Sequence, residues 1–198
     1  MPIFPHITLA ILAGGKASRI GGRNKALLEI DGITFIQRIH QTLSPVYSNT
    51  IIISNEIVDF DIDNIVVYPD IIIGIGPLGG IHSALVNSID PAIFVVSCDM
   101  PFADLELAAD MTTEFLKSQP DILVPLIGTY EEPLFALYSK SLVGQIESMV
   151  SSTNGRPVTD LFLISKTNFY EIPENPTTKK CFTNINSFDD FKDLLFHL

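Results

Sequence analysis

The sequence predicts an α/β fold, a single domain of three layers in which a mainly parallel sheet carries helices on both faces. Three observations predict it. Short apolar runs without polar alternation, such as ITLAIL and AIFVVSCD, mark strands buried on both sides. Segments with apolar residues at helical spacing lie between them. A length of 198 residues, 46% of them hydrophobic, is enough to bury one full core without staples.

The elements follow in order. Ile7–Leu12 is a strand, bounded by glycine. ALLEI extends briefly and turns at Asp31-Gly32. Phe35, Ile36, Ile39 and Leu43 share one helical face, which Pro45 ends. TIIIS (Thr50–Ser54) and NIVVY (Asn64–Tyr68) are strands. Pro77 opens a helix on which Leu78, Ile81 and Leu85 align. Ala92–Asp99 is the most apolar strand. A helix with Leu105, Ala108, Met111 and Phe115 follows. Ile122–Leu126 and Pro133–Tyr138 are strands, and Leu142, Ile146, Met149 and Val150 make a helix. TNFYEI and CFTNI read as short extended pieces. Phe188, Phe191, Leu194 and Leu195 form a last helix that Ser187 can cap. Right-handed crossovers bring the C-terminal strand ends to one edge, where ligands of open α/β sheets bind. The loops after Leu12, Ile53, Tyr68, Ser97 and Ile185 are therefore the places for chemistry.

Charge is unevenly spread. The chain has 12 Lys and Arg against 23 Asp and Glu, a formal net charge of -11, yet no acidic residue precedes Glu29. The acidic balance argues against nucleic acid and an anionic membrane surface as partners. The local cationic island points instead to a small anionic ligand, the alternative being chance clustering. No run reaches the roughly 18 apolar residues of a spanning helix. MPIFPHIT lacks the basic start of a signal peptide. Two cysteines, Cys98 and Cys181, give neither a disulfide framework nor a zinc site, and the expected compartment is a reducing cytoplasm.

The island is ILAGGKASRIGGRNKALL, directly after the first strand. Its spacing is neither the dinucleotide fingerprint nor a Walker A loop. Gly14 and Gly15 let the backbone turn its N–H groups onto a ligand. Lys16, Arg19, Arg23 and Lys25 add charge suited to phosphate oxygens. The plain alternative is a surface loop.

LAGGKASRIGGRNKALL resembles the L-A-G-G-x-S-x-R-M-G-x-D-K signature of molybdenum cofactor guanylyltransferases. The resemblance continues in family order through YPD, GPLGGIHSAL, SCDMP, EEPLFALY and FTNINSFDDF, across nearly the whole chain. It implies a Rossmann-like nucleotidyltransferase fold, with GTP in the N-terminal half and molybdopterin in the C-terminal half. The implied reaction moves GMP from GTP to the phosphate of molybdopterin or Mo-molybdopterin and releases pyrophosphate. Other maturation proteins of this cofactor are implied partners. Two departures stand out: Ile20 replaces Met, and Asn24 replaces an Asp beside Lys25.

By the same resemblance, Lys25, Arg19 and Asp99 are catalytic. Leu12, Ala13, Gly14, Gly15 and Lys16 shape the nucleotide cradle, with Asn55, Asp70, Gly76, Pro77, Leu78 and Gly80 on neighbouring loops. Asn184 and Asn186 supply an amide near metal and acceptor. Asp99, at the end of a buried strand, is the ligand expected for Mg²⁺, with Mn²⁺ as an alternative. Otherwise Asp99 caps the helix starting near Asp104, and Asp70 is an ordinary turn residue. Asp61-Ile62-Asp63 mimics a metal-binding D-x-D but lies in an acidic run that reads as solvated. His82 and Cys98 read as packing residues. Gly14 stands where the cytidylyl branch carries Ala, which favours a purine. Rival readings are the cytidylyltransferase, another enzyme of the superfamily such as a sugar-phosphate nucleotidyltransferase, and a nucleotide-binding module without catalysis.

Overall fold

Strand β1 (Phe4–Leu12) runs through the middle of the sheet, and its side chains alternate between two apolar clusters. Leu9 and Ile11 face one way; Ala10 and Leu12 face the other. The computed structural model describes residues 3–14, 19–20, 23–152, 157–185, 187 and 189–192, with only the backbone of 19, 20, 23 and 152. β1 pairs in parallel with β2 (Tyr47–Ile53) and with β4 (Ala92–Ser97), and β2 pairs in parallel with β3 (Val66–Tyr68). β5 (Ile122–Ile127) is paired antiparallel by β6 (Tyr130–Glu131) and β7 (Phe135–Ser139), and parallel by β8 (Thr167–Glu171). The order is β6-β5-β7-β4-β1-β2-β3, with β8 on β5. The sheet is thus mainly parallel, as expected, with β6 and β7 reversed.

Helices cover both faces. α1 (Phe35–Leu43) and α3 (Leu105–Ser118) pack on the Leu9 side through Ile36, Ile39, Met111 and Phe115. α2 (Pro77–Asn87), α4 (Val143–Ser152) and the short α5 (Thr159–Phe162) pack on the other through Leu78, Ile81, Ile146 and Leu161. An aromatic run, Tyr47–Phe94–Phe135 with the partly buried Phe182, crosses the first layer with centroids 4.9 to 5.6 Å apart.

Local chemistry sets most boundaries. Thr34 and Gln37 form a reciprocal capping box at the start of α1. Asp31 (φ 53°) and Gly32 (φ 73°) turn a two-residue hairpin just before it. Asp104 accepts from Leu107 N–H at 2.8 Å and caps α3. Gly76, at φ 67°, precedes Pro77 at the start of α2.

Three expectations need correction or limits. ALLEI is a strand only at Glu29–Ile30, because Ala26 and Leu27 belong to a 3₁₀ turn that Asn24 caps. CFTNI is not extended at its start: Cys181 ends helix α6 (Pro176–Cys181) and Phe182 turns, and no strand follows among the described residues. Asn175 caps that helix with its own box to Thr178, which carries the helix as far as Cys181. The final helix is described over 189–192, where Ser187 Oγ accepts from Asp190 N–H at 3.0 Å as a cap should. Phe188, Leu194 and Leu195 lie outside the described residues.

Two adjacent glycines of α2 differ in what a side chain would meet. A Cβ on Gly79 would lie 2.7 Å from the Ile72 carbonyl oxygen, whereas one on Gly80 would come no nearer than 3.3 Å, to the Leu12 side chain. Alanine within a helix gains about 1 kcal/mol over glycine, and overpacking costs about 1–3 kcal/mol. Urea unfolding is therefore expected to find Gly79→Ala less stable than wild type and Gly80→Ala near it. Equal stability of the two variants would contradict this packing.

Candidate active site

β1 and β4 end side by side, Leu12 opposite Ser97, and Cys98 N–H continues the pairing to the Leu12 carbonyl at 3.0 Å. The turn after β4 then carries Asp99 outward. Because Asp104 caps α3, Asp99 is left without that task. Its carboxylate lies 3.7 Å from Lys25 Nζ, with side-chain exposures of 20% for Asp99 and 2% for Lys25. That separation is Coulomb contact rather than a direct hydrogen bond. Lys25 sits on a single 3₁₀ turn, Lys25–Leu27, capped by Asn24 Oδ1, which accepts from Ala26 N–H at 2.9 Å. Asn24 Nδ2 donates to Glu56 Oε2 at 3.1 Å, tying this turn to the loop after β2. The Asn that departs from the family signature therefore has a definite place here: an amide can cap and donate at once, and a carboxylate cannot.

A second group gathers where β1, β2 and β3 end. Ala13 N–H donates to the Ile53 carbonyl at 2.8 Å, and a Cβ on Gly14 would rest 3.4 Å from the backbone of Ser54 and Asn55. Asn55 and Asp70 clasp each other: Asn55 Nδ2 donates to Asp70 Oδ2 at 2.7 Å, and Asp70 N–H donates to Asn55 Oδ1 at 2.9 Å. Gly79 brings α2 against this clasp, its Cβ position 3.7 Å from Asp70 Cγ. Gly76, Pro77 and Gly80 shape the same end of α2. Leu12, Ala13 and Leu78 are buried, and Leu12 and Leu78 belong to the core beneath. Gly15, Lys16 and Asn186 lie outside the described residues, as does the side chain of Arg19.

The decoys behave as packing or surface groups. Asp61 and Asp63 are exposed, and Asp61 bonds to the Gln37 side chain at 3.1 Å. His82 is buried with Nε2 3.2 Å from Glu147 Oε1, bridging α2 and α4. Burial and the neighbouring Asp99 push the Cys98 thiol up to about 12, far from a nucleophile's range.

Sequence reasoning passed over Glu132. This carboxylate is 4% exposed and accepts from Leu134 N–H at 3.0 Å, Tyr130 O–H at 2.7 Å and Asn184 Nδ2 at 3.4 Å. The loop bearing Asn184 is held beside Asp99, since Ile185 N–H donates to the Asp99 carbonyl at 3.1 Å. Asn184 Oδ1 is buried and meets no partner among the described residues. Two glutamates before a proline in EEPLFALY gave no sign that one would turn inward.

The oxygens fit a hard divalent ion. No group of three or more His, Cys, Asp or Glu able to hold a metal occurs among the described residues. The Asp99 carboxylate and the orphaned Asn184 oxygen suit Mg²⁺, which takes few protein ligands and completes its shell with water and phosphate. No helix among the described residues is long and apolar enough to cross a membrane.

The profile of the MobA-like NTP transferase domain matches residues 9–166. The chain belongs to this family. It is 37% identical over 190 residues to a probable molybdenum cofactor guanylyltransferase of Clostridium perfringens, covering 94% of each chain. It is 31% identical over 187 residues to a molybdenum cofactor guanylyltransferase of Vibrio atlanticus, covering 89% of each. Its fold is that of the molybdopterin-guanine dinucleotide biosynthesis protein A of Archaeoglobus fulgidus, with a TM-score of 0.80 at 24% identity over 96% of this chain and 98% of that one. The expected fold class and family are thereby established, and the chain is a nucleotidyltransferase.

Two outcomes test this geometry. Asn24→Asp sets a carboxylate against that of Glu56 and is expected to lower the melting temperature, with most of the loss recovered by adding Glu56→Gln; a stable single variant would contradict the contact. Burial raises both thiols, Cys98 and Cys181, to about 12 from an ordinary value near 9. A raised value in the folded state means stability intact below about pH 9 and lost as pH climbs toward 12. A thiol reagent at pH 8 should therefore leave both unlabelled until denaturant is added.

Proposed function

We propose that this enzyme transfers GMP from GTP to the terminal phosphate of molybdopterin or Mo-molybdopterin, forming the guanine dinucleotide form of the cofactor. The reading rests on the relatives, several named for that activity, and on one observation: the buried Lys25 ammonium beside the Asp99 carboxylate at the sheet edge. A phosphate monoester is largely ionised near neutral pH, so the attacking oxygen needs no general base. The site matches that demand, since its groups bind and align charge rather than move protons. An acceptor phosphate oxygen bonds to the α-phosphorus of GTP, the bond to the bridging α–β oxygen breaks, and pyrophosphate leaves with the electron pair.

Lys25 would hold a phosphate oxygen with its ammonium, which the capped 3₁₀ turn fixes in place before substrate arrives. Arg19 and Lys16 would add cationic contacts along the triphosphate, and the backbone at Gly14 and Gly15 would approach it closely. Asp99 and Asn184 would hold Mg²⁺ or Mn²⁺, which when bound supplies neutralisation of the charge growing on pyrophosphate. The Asn55–Asp70 clasp and Gly76–Gly80 would border the nucleoside, and the C-terminal half, including Asn186, would receive the pterin. The two free, buried cysteines suit a reducing cytoplasm.

Pyrophosphate release with molybdopterin and each nucleoside triphosphate tests the reaction. GTP should be preferred, and a clear preference for CTP would assign the enzyme to the cytidylyl branch. Lys25→Met keeps volume without charge; kcat is expected to fall about 10²–10³-fold while the protein stays folded. An unchanged rate would remove Lys25 from the reaction, and GTP binding without any turnover would favour a non-catalytic module.

A further inference from the structure

The donors around Glu132 decide which way the Asn184 amide can point. Leu134 N–H and the Tyr130 hydroxyl both donate to this carboxylate, so it stands as an acceptor at both oxygens. Burial, the bond to Glu132 and the charges of Glu132 and Asp99 push the Tyr130 hydroxyl up to about 12, which keeps its proton in place. Asn184 can then offer Glu132 only its NH₂. With Nδ2 so engaged at 3.4 Å, Oδ1 is turned away from Glu132 into a buried position with no partner among the described residues. A buried acceptor left unmet is costly, and such atoms are rare in folded proteins. The Ile185–Asp99 backbone bond sets this orphan next to the turn that carries the Asp99 carboxylate.

We propose that Glu132 is a positioning residue that locks the Asn184 amide so that oxygen, not nitrogen, faces the divalent cation held beside Asp99. This rests on the proposed location of the metal–nucleotide site. Glu132 touches neither substrate nor metal. It acts through Asn184, with Tyr130 and Leu134 N–H fixing the carboxylate in turn. The arrangement is a second layer of hydrogen bonds that sets the dipole of a ligand, and such partners typically govern metal affinity by about 10–100-fold.

The lock makes a reversal and a rescue testable. In Glu132→Gln the new NH₂ either faces Leu134 N–H, donor against donor, or faces Asn184. In the second case the Asn184 amide flips and presents its NH₂ to the cation. Mn²⁺ binding to the protein with a non-hydrolysable GTP analogue, followed by electron paramagnetic resonance, reads this without turnover. Glu132→Gln should weaken Mn²⁺ at least tenfold while the nucleotide analogue alone binds as before. Adding Asn184→Asp should restore Mn²⁺ affinity to within about threefold, because the Gln amide donates to one Asp oxygen and leaves the other for the ion. A merely structural Glu132 would shift the melting temperature of both variants and give no rescue, which overturns the proposal. If Glu132→Gln does not fold alone, the double variant carries the test by the same threefold criterion. Wild type that binds the nucleotide analogue but no Mn²⁺ beside it would sink the site assignment itself, and this proposal with it. Wild-type binding with unaltered variants would sink the proposal alone.

Discussion

A lysine ammonium buried at 2% exposure against a carboxylate is an expensive arrangement. Burying the lysine costs hydration, and a hydrophobic residue of similar volume is often as stable or more so. The fold nevertheless goes to some length to build it. The parallel register of β1 and β4 ends both strands at one level, the Asp104 cap leaves Asp99 free, and Asn24 pins the turn that carries Lys25. At 3.7 Å the two charges attract without a direct hydrogen bond between them. A charge pair kept at this cost is better accounted for by ligand chemistry than by stability.

Much of this was legible in the sequence. β1, β4, α1 and α2 follow from apolar runs, helical spacing and the punctuation of Gly76-Pro77 and Pro45, all local signals that tertiary contacts reinforce. The edge of the sheet was legible too, because topology alone brings the loops after Leu12, Ile53, Tyr68 and Ser97 together. Helix α6 was not, since its signal is an asparagine cap before the polar stretch PTTKK, which has no apolar periodicity. Glu132 was not either. It meets Asn184 from 52 residues away, after an inward turn before Pro133 that no local propensity encodes.

The charge distribution takes on a physical sense against this layout. A net charge of -11 surrounds an N-terminal segment free of carboxylates through its first 28 residues. Three acidic groups around Asp99 are matched to donors: Glu56 to Asn24, Asp70 to Asn55, Glu132 to Tyr130 and Asn184. Those three carboxylates have their charge offset by donors, and Asp99 has the Lys25 ammonium 3.7 Å away. The exchange of Asp for Asn at position 24 belongs to the same pattern, because Glu56 supplies the nearby carboxylate and the amide joins it to the lysine turn.

The most direct measurement is a crystal structure with a non-hydrolysable GTP analogue and Mg²⁺. The account predicts triphosphate oxygens within hydrogen-bond distance of Lys25 Nζ and a cation on the Asp99 carboxylate. A nucleotide bound anywhere else, for instance in the acidic groove of about 700 Å³ between α3 and α6 lined by Asp104, Glu106 and Asp110, would contradict it.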